Sequence, residues 1–167
     1  MSGRRLKLGY VSGDFRQHAV SYFVEQIFRD HDPARVELFA YSTCPKGDAV
    51  TERLKSRAHH WRDVARVQDA AVREQVAADG IDVLVDLSGH TLYNRLGIFA
   101  LRAAPVQVGY LGGLGTSGLT EMDYWLGDPV VTPPETDAHF SEQVWRLPRA
   151  WVCYEGKADA PRPAPRD

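Results

Sequence analysis

The sequence predicts an α/β fold in which one parallel β-sheet carries helices on both faces. Short apolar runs alternate along the chain with segments whose apolar residues recur at helical spacing. This alternation is typical of βαβ units with right-handed crossovers. Histidines and clustered glycines occur in loops that follow predicted strands, whereas the loops at the opposite end are plain turns. We therefore expect a Rossmann-like sheet whose functional residues lie outside the carboxyl ends of its strands.

The elements follow from local patterns of hydrophobicity. The helix predicted over residues 19–30 has a single apolar stripe that includes Val20, Phe23 and Ile27, and the helix over 68–78 ends before Gly80, a residue that favours helix termination. In chain order the predicted elements are a strand 7–12, a helix 19–30, a strand 36–42, a helix 50–57, an edge strand 60–64, a helix 68–78, a strand 82–87, a helix 96–102, a strand 106–111 and a strand 123–126.

Composition is that of an ordinary globular domain and excludes several classes of partner. The 167 residues are 44% hydrophobic and 25% charged, with a net charge of −2. This gives no electrostatic basis for binding nucleic acid or an acidic membrane surface. No apolar run approaches the roughly 20 residues that span a bilayer. Cys44 and Cys153 are distant in sequence, and we expect free thiols and a cytoplasmic location.

The stretch VQVGYLGGLGTSG, residues 106–118, is the most informative in the chain. Its segment 113–118 formally matches G-x-G-x-x-G after a strand. That fingerprint belongs to a first strand and opens a long helix, for which 119–123 leaves little room. We therefore expect no dinucleotide but a loop whose backbone approaches a sugar or phosphate. A purely structural turn is the alternative.

Two histidines occupy loops at the same predicted edge of the sheet. His18 follows the first strand and His90 follows the fourth, and each is a candidate proton acceptor or donor near neutral pH. A surface residue or a helix cap is the alternative for either histidine. Asp14 and Asp86, at neighbouring strand ends, would orient a histidine or cap a loop.

No metal site is predicted. Asp30-His31-Asp32 formally resembles a metal-binding D-x-D pattern, but it precedes Pro33 and is better explained as a helix stop and turn. His59 and His60 open an edge strand and are expected to be exposed. The sequence has no Cys/His zinc spacing, no P-loop motif and no G-x-S-x-G motif, so the corresponding enzyme classes lack their main residues.

The motifs KLGYVSGDFRQHAVSYF, VELFAYST, ADGIDVLVDLSGHT, LRAAPVQVGYLGGLGTSG and MDYWLGDPVVTPP occur in this order. Together they resemble the catalytic region of protein O-linked N-acetylglucosaminyltransferases, including SPINDLY-like proteins and their bacterial relatives. The resemblance covers about residues 5–154. It implies one lobe of a two-lobe GT-B glycosyltransferase, with an N-terminal catalytic lobe over 1–154. Residues 155–167, rich in proline, would link it to a second lobe that this sequence lacks, as it lacks the tetratricopeptide repeats usual in the family.

The resemblance also implies an activity and a set of site residues. It implies inverting transfer of GlcNAc from UDP-GlcNAc to Ser or Thr hydroxyls of an acceptor protein, without a metal ion or other cofactor. The histidine of the family's D-F-x-x-H segment faces the reacting centre and has been proposed as a base, and it matches His18. His90 matches a position that is histidine in many bacterial members. The loop that lines the cleft matches Leu111, Gly112, Gly113, Gly115, Thr116, Ser117 and Gly118.

One departure from the family concerns the loop, and two other functions remain open. Family members often have Tyr or Phe where this chain has Gly113, which predicts a more mobile loop here. A first alternative function is a catalytically silent α/β binding or regulatory module that acts through a partner chain. A second is a small nucleotide-dependent enzyme of another class.

Overall fold

The computed structural model describes residues 3–156, which form a seven-stranded sheet with helices on both faces. All neighbouring strands pair in parallel. In chain order the elements are β1 Leu6–Ser12, α1 Ala19–Asp30, β2 Val36–Ser42, α2 Ala49–Lys55, β3 His60–Asp63, α3 Asp69–Asp79, β4 Val83–Asp86, α4 Leu96–Ala100, β5 Val106–Gly109, β6 Tyr124–Gly127, a 3₁₀ helix Pro134–His139 and β7 Gln143–Arg146.

The strand order β3-β2-β1-β4-β5-β6-β7 determines where a ligand would bind. The chain winds outward from β1 to β3 on one side, then returns to β4 and continues in the other direction. The order therefore reverses between β1 and β4, and in open α/β sheets ligands bind outside the carboxyl ends of the strands at this point. The predicted parallel α/β architecture is confirmed.

Two apolar layers cover the two faces of the sheet. On one face, Leu8 and Tyr10 of β1 belong to a cluster with Val24 and Phe28 of α1 and Leu54 of α2. On the other face, Val11 and Tyr41 pack with residues of α3 and α4, namely Val72, Val76, Ile98 and Phe99. The alternation of side chains along β1 explains why a single central strand contributes to both layers.

The ten predicted elements are present, with ends that differ by a few residues. The third strand lies at the edge of the sheet, as predicted. β7 and the 3₁₀ helix were not predicted. Among residues 3–156, β7 pairs only with β6. The side chain of Trp145 in β7 is exposed, so the strand has no apolar periodicity by which a sequence pattern would reveal it.

The chain after β7 returns across the sheet toward α1. Trp151 Nε1 donates to the carbonyl of Leu126 at 2.7 Å, and Tyr110 Oη donates to the carbonyl of Trp151 at 2.9 Å. Glu155 pairs with Arg29 at 2.6 Å. Most of the segment predicted as a proline-rich linker, residues 157–167, lies outside the described residues.

Cys44 and Cys153 are both free thiols, as expected from the sequence. Among residues 3–156, no helix combines the length and the apolar character needed to cross a bilayer.

Candidate functional site

The loops that follow β1, β4 and β5 meet at the carboxyl edge of the sheet. The amide of Gly13 donates to Ser88 Oγ at 3.1 Å, which joins the first loop to the loop after β4. His90 Nε2 lies 3.2 Å from the carbonyl oxygen of Thr116, which joins that loop to the one after β5. The loop after β2 takes part as well, because Thr43 Oγ1 donates to the carbonyl of Tyr93 at 2.7 Å. The three loops selected from the sequence therefore form one surface.

Two glycines allow these loops to touch through their backbones. A Cβ on Gly112 would lie 2.3 Å from the carbonyl oxygen of Leu87, and a Cβ on Gly13 would lie 2.6 Å from the Cβ of Tyr93. Neither distance is possible for a real side chain, so any larger residue would separate the loops. Close approach at these positions is thus between loops of the same chain.

The glycine-rich loop divides into tight and open positions. Leu111 and Gly118 both have a φ of 74°, in the left-handed region that a non-glycine residue seldom adopts. A Cβ on Gly113 or Gly115 would meet no atom within 4 Å. Gly115 is not among the residues with positive φ, so backbone conformation does not require glycine at this position. Close approach of a ligand stays a prediction for this position.

Glu142 holds the threonine and serine of this loop. It is buried immediately before β7, and its carboxylate accepts the hydroxyl of Thr116 at 2.7 Å, the amide of Ser117 at 2.7 Å and the Ser117 hydroxyl. Burial raises the pKa of this carboxyl, but the hydrogen bonds together outweigh burial and the net pKa is lowered. Glu142 is therefore ionised at neutral pH. Sequence reasoning missed it, because it lies beyond the last predicted strand.

The hydroxyls of Thr116 and Ser117 are consequently engaged within the protein. Thr116 Oγ1 also accepts the amides of Gly118 at 3.0 Å and Ser141 at 3.1 Å. The exposed side chain of Leu114 and the open backbone at Gly113 and Gly115 are left as the groups able to approach a ligand. A substrate-binding role for residues 111–118 stays a prediction.

His18 lies where the loop after β1 enters α1. Its Nδ1 accepts the amide of Val20 at 3.3 Å, so the ring occupies the N-cap of the helix. The same nitrogen lies 3.6 Å from Asp14 Oδ2, and the His18 side chain is 39% exposed. The alternative considered for this residue, a helix cap, is therefore present in the structure. It does not exclude chemistry at Nε2, the nitrogen that the cap does not use.

Asp86 caps the loop after β4 and does not contact His90 directly. Its two carboxylate oxygens accept the amides of Ser88 at 3.1 Å and Gly89 at 2.8 Å. Burial at the end of β4 raises its pKa to about 6, although the two hydrogen bonds and the nearby His90 act to lower the pKa. Asp86 thus fixes the backbone that presents His90, which is itself exposed.

Arg16, in the loop after β1, contacts Tyr93, in the loop after β4, and the sequence did not predict this contact. The Arg16 guanidinium lies 5.8 Å from the centre of the Tyr93 ring and 3.5 Å from Asp14 Oδ1. Within the described residues, Arg16 Nε is buried without a hydrogen-bond partner. Tyr93 adopts a φ of 64°, a conformation that is unusual for an aromatic residue and that occurs at functional loops.

The opposite edge of the sheet contains turns, as predicted. Gly80 ends α3 in a left-handed conformation, with a φ of 69°. Asp32 Oδ1 accepts the amide of Ala34 at 2.9 Å, an Asx turn. His31 lies at the C-cap of α1, with Nε2 3.1 Å from Tyr10 Oη. The Asp30-His31-Asp32 sequence therefore stops a helix. His60, expected to be exposed, is half-buried, because Nε2 lies 2.8 Å from Glu37 and the ring stacks on Phe39.

Comparison with known proteins gives a family to this fold and site. The profile of glycosyl transferase family 41 matches residues 1–158. The chain belongs to glycosyl transferase family 41. Among its curated relatives, a probable UDP-N-acetylglucosamine-peptide N-acetylglucosaminyltransferase SPINDLY of Oryza sativa subsp. japonica is 38% identical over 164 residues, 96% of this chain. A UDP-N-acetylglucosamine-peptide N-acetylglucosaminyltransferase of Caenorhabditis elegans is 37% identical over 152 residues, 90% of this chain.

A solved structure extends the similarity to the fold. A mutant of the Thermobaculum terrenum O-GlcNAc transferase matches with a TM-score of 0.93 and 44% identity over 99% of this family 41 chain. The chain spans 18% of the length of the rice protein, 13% of that of the nematode protein and 32% of the Thermobaculum chain. It therefore corresponds to one part of much longer relatives.

Proposed function

We propose that this family 41 chain is the N-terminal catalytic lobe of an inverting, metal-independent GT-B glycosyltransferase. It would transfer GlcNAc from UDP-GlcNAc to Ser or Thr hydroxyls of an acceptor protein. The observation that carries the proposal is the position of His18. His18 lies where the strand order of the sheet reverses. The chain that carries it is 44% identical to an O-GlcNAc transferase, with a TM-score of 0.93. The side chain of His18 is 39% exposed, so a hydroxyl outside the carboxyl edge of the sheet can reach it.

The proposed chemistry divides between two lobes. Inversion requires the acceptor hydroxyl to attack in line with the bond between sugar and phosphate. His18 would accept or position the hydroxyl proton, with His90 as the second candidate. The loop from Leu111 to Gly118 would line the acceptor side. Stabilisation of the departing diphosphate would come from amides, helix N-termini and basic side chains of a second lobe.

The proposal names no cofactor and two kinds of partner. UDP-GlcNAc is a donor substrate, and the partners are the acceptor protein and a second catalytic lobe, with no nucleic acid and no membrane. A net charge of −2 favours neither nucleic acid nor an acidic lipid surface. The free thiols of Cys44 and Cys153 favour a cytoplasmic location.

A chimera tests the proposal directly. This chain would replace the matching 32% of the Thermobaculum O-GlcNAc transferase, and transfer of labelled GlcNAc from UDP-GlcNAc to protein would be measured. We expect transfer by the chimera and a loss of about 10²-fold or more on replacing His18 with Asn. Asn is a preferred N-cap residue and keeps the start of α1 intact. A folded chimera that binds UDP but transfers nothing would instead support a catalytically silent module.

The 167-residue chain alone provides the second arm. Because most donor contacts are assigned to the second lobe, it should bind UDP-GlcNAc weakly, in the high micromolar range or worse, on the order of −5 kcal/mol. Calorimetry that gives a sub-micromolar affinity for this chain would contradict the half-site assignment.

A further inference from the structure

The loop between β1 and α1 contains a buried carboxylate beside the candidate base. Asp14 is 3% exposed, although aspartate is rarely buried unless it is paired. Its Oδ2 lies 3.6 Å from His18 Nδ1, and its Oδ1 lies 3.5 Å from Arg16 Nη2. Both distances exceed an ordinary hydrogen bond. The carboxylate is therefore close to the Arg16 guanidinium and to the His18 ring without a short bond to either.

His18 Nδ1 faces two groups that make opposite demands on it. To accept the amide of Val20, at 3.3 Å, it must carry no proton. To bond to the acceptor-only carboxylate of Asp14, it must carry one. In a neutral imidazole the proton of one nitrogen determines the role of the other. The capped state therefore has Nε2–H, which cannot accept a proton, whereas a state paired to Asp14 has a free lone pair on Nε2.

We propose that Asp14 is a positioning residue that draws His18 out of its helix cap and selects the Nδ1–H tautomer. A small rotation of the ring would shorten the contact from Nδ1 to Oδ2 and release the amide of Val20. Nε2 then becomes the proton acceptor. This inference rests on the proposed function for its consequence in catalysis, but the exchange between the two states is a property of this chain.

Three features of the loop support this exchange. Histidine is not among the residues preferred at N-caps, and the cap bond to Val20 is long. The backbone of His18 is held independently of its ring, because its carbonyl accepts the amide of Ser21 at 3.1 Å and the Ser21 hydroxyl at 2.7 Å. Arg16 lies beside the other oxygen of Asp14, which leaves Oδ2 for the histidine. Asp86, the other strand-end acid, is already bonded to two amides.

The test uses the 167-residue chain with ¹⁵N-labelled histidine, observed by NMR above the ordinary imidazole pKa of about 6.5. The ring nitrogen shifts give the ratio of the two His18 tautomers, and hydrogen exchange gives the protection of the Val20 amide. In Asp14→Asn we expect the ratio of Nδ1–H to Nε2–H to fall about tenfold, because the charge-assisted bond is lost. The Val20 amide should exchange more slowly than in the unmodified chain, because the ring returns to the cap.

The second readout separates positioning from a structural role. If Asp14 merely stabilised the loop, its removal would loosen α1 and the Val20 amide would exchange faster. Ser12→Ala is the matched control, since it removes the 2.9 Å bond from the Asp14 amide to Ser12 Oγ and leaves the carboxylate. It should leave the tautomer ratio unchanged. An unchanged ratio in Asp14→Asn, or an equal change in Ser12→Ala, overturns the inference.

Activity of the chimera then tests the consequence. Asp14→Asn should lower kcat while the KM for UDP-GlcNAc stays within about twofold, as for a group acting after the donor binds. Unchanged kcat despite a shifted tautomer ratio would overturn the link to catalysis. Absence of transfer by the unmodified chimera would contradict the proposed function, whereas the NMR result decides the pairing of Asp14 with His18 independently.

Discussion

Replacement of Gly112 by alanine tests how the loops after β4 and β5 are held together. The added Cβ would lie 2.3 Å from the oxygen of Leu87, 2.5 Å from its carbonyl carbon and 2.4 Å from the carbonyl carbon of Ser88. Carbon and oxygen in close contact are usually about 3.3 Å or more apart, so the overlap is on the order of 1 Å. All three atoms belong to the backbone and cannot rotate away, so the ends of the two strands must separate.

The expected cost follows from that overlap. Overpacking costs about 1–3 kcal/mol where side chains can adjust, and contact with backbone places Gly112→Ala near the upper end, at about 3 kcal/mol. For a domain of this size each kcal/mol lowers Tm by about 2–4 °C, so we expect a decrease of roughly 6–12 °C. In urea, the midpoint should fall while the slope stays unchanged.

Gly113→Ala is the matched control, one residue away in the same loop. A Cβ there meets no atom within 4 Å, and Gly113 is not among the residues with positive φ. Its stability should be unchanged or about 0.4–1 kcal/mol higher, because alanine restricts the unfolded chain. If Gly112→Ala and Gly113→Ala melt within about 1 °C of each other, the loops can move apart freely and the reasoning fails.

Three further predictions concern buried or capping groups. Glu142→Gln should lower the free energy of unfolding by about 1.5–3 kcal/mol, because an amide donor cannot replace the oxygen that accepts from Thr116. Urea denaturation beside the exposed control Glu135→Gln measures this loss, and equal stability of the two variants would refute the prediction. The pKa of Asp86 is raised from its ordinary value of 3.8 to about 6, so the folded protein favours the protonated acid. Its contribution to the free energy of unfolding is therefore largest below pH 3.8 and smaller by about 3 kcal/mol above pH 6. Denaturation of the protein and of Asp86→Asn across this window should therefore give a steeper fall for the unmodified protein, and parallel profiles would contradict the assignment. In the chimera, His18→Ala should lose about as much turnover as His18→Asn. Thermal melting should show that His18→Ala is less stable than His18→Asn by about 1 kcal/mol, because alanine cannot cap α1. Equal stability of the two variants would mean that the cap contributes nothing.

The fold was predictable because its signals are local. The stripe of α1, the glycine after α3 and the uncharged run of β1 each specify an element without reference to the rest of the chain. Alternation of these elements then leaves few topologies. β7 was missed for the same reason. It is identified by its pairing with β6 and by Glu142 just before it, and neither relation is visible in its own four residues.

The site was predictable as an edge of the sheet, but less so as a set of roles. The carboxyl ends of parallel strands lie at one edge of a sheet, so His18, His90 and the glycine loop could be assigned to the same edge. Which glycine is sterically required could not be deduced, because it depends on the path of a neighbouring loop. Gly112 is required by the carbonyl of Leu87, whereas Gly115, chosen for its place in a motif, has open space around it.

Asp14 and Asp86 show where sequence reasoning reaches its limit. Both are acids at the ends of neighbouring strands, each four residues before a histidine, and the sequence gives no reason to assign them different roles. The structure separates them through backbone geometry. The loop after β4 turns back at Gly89, with a φ of 52°, and presents two amides to Asp86. The loop after β1 runs on into a helix, so the carboxylate of Asp14 faces the ring of His18. Both oxygens of Asp86 accept backbone amides, whereas Asp14 Oδ2 lies 3.6 Å from Nδ1 of His18, and our proposal for Asp14 rests on this difference.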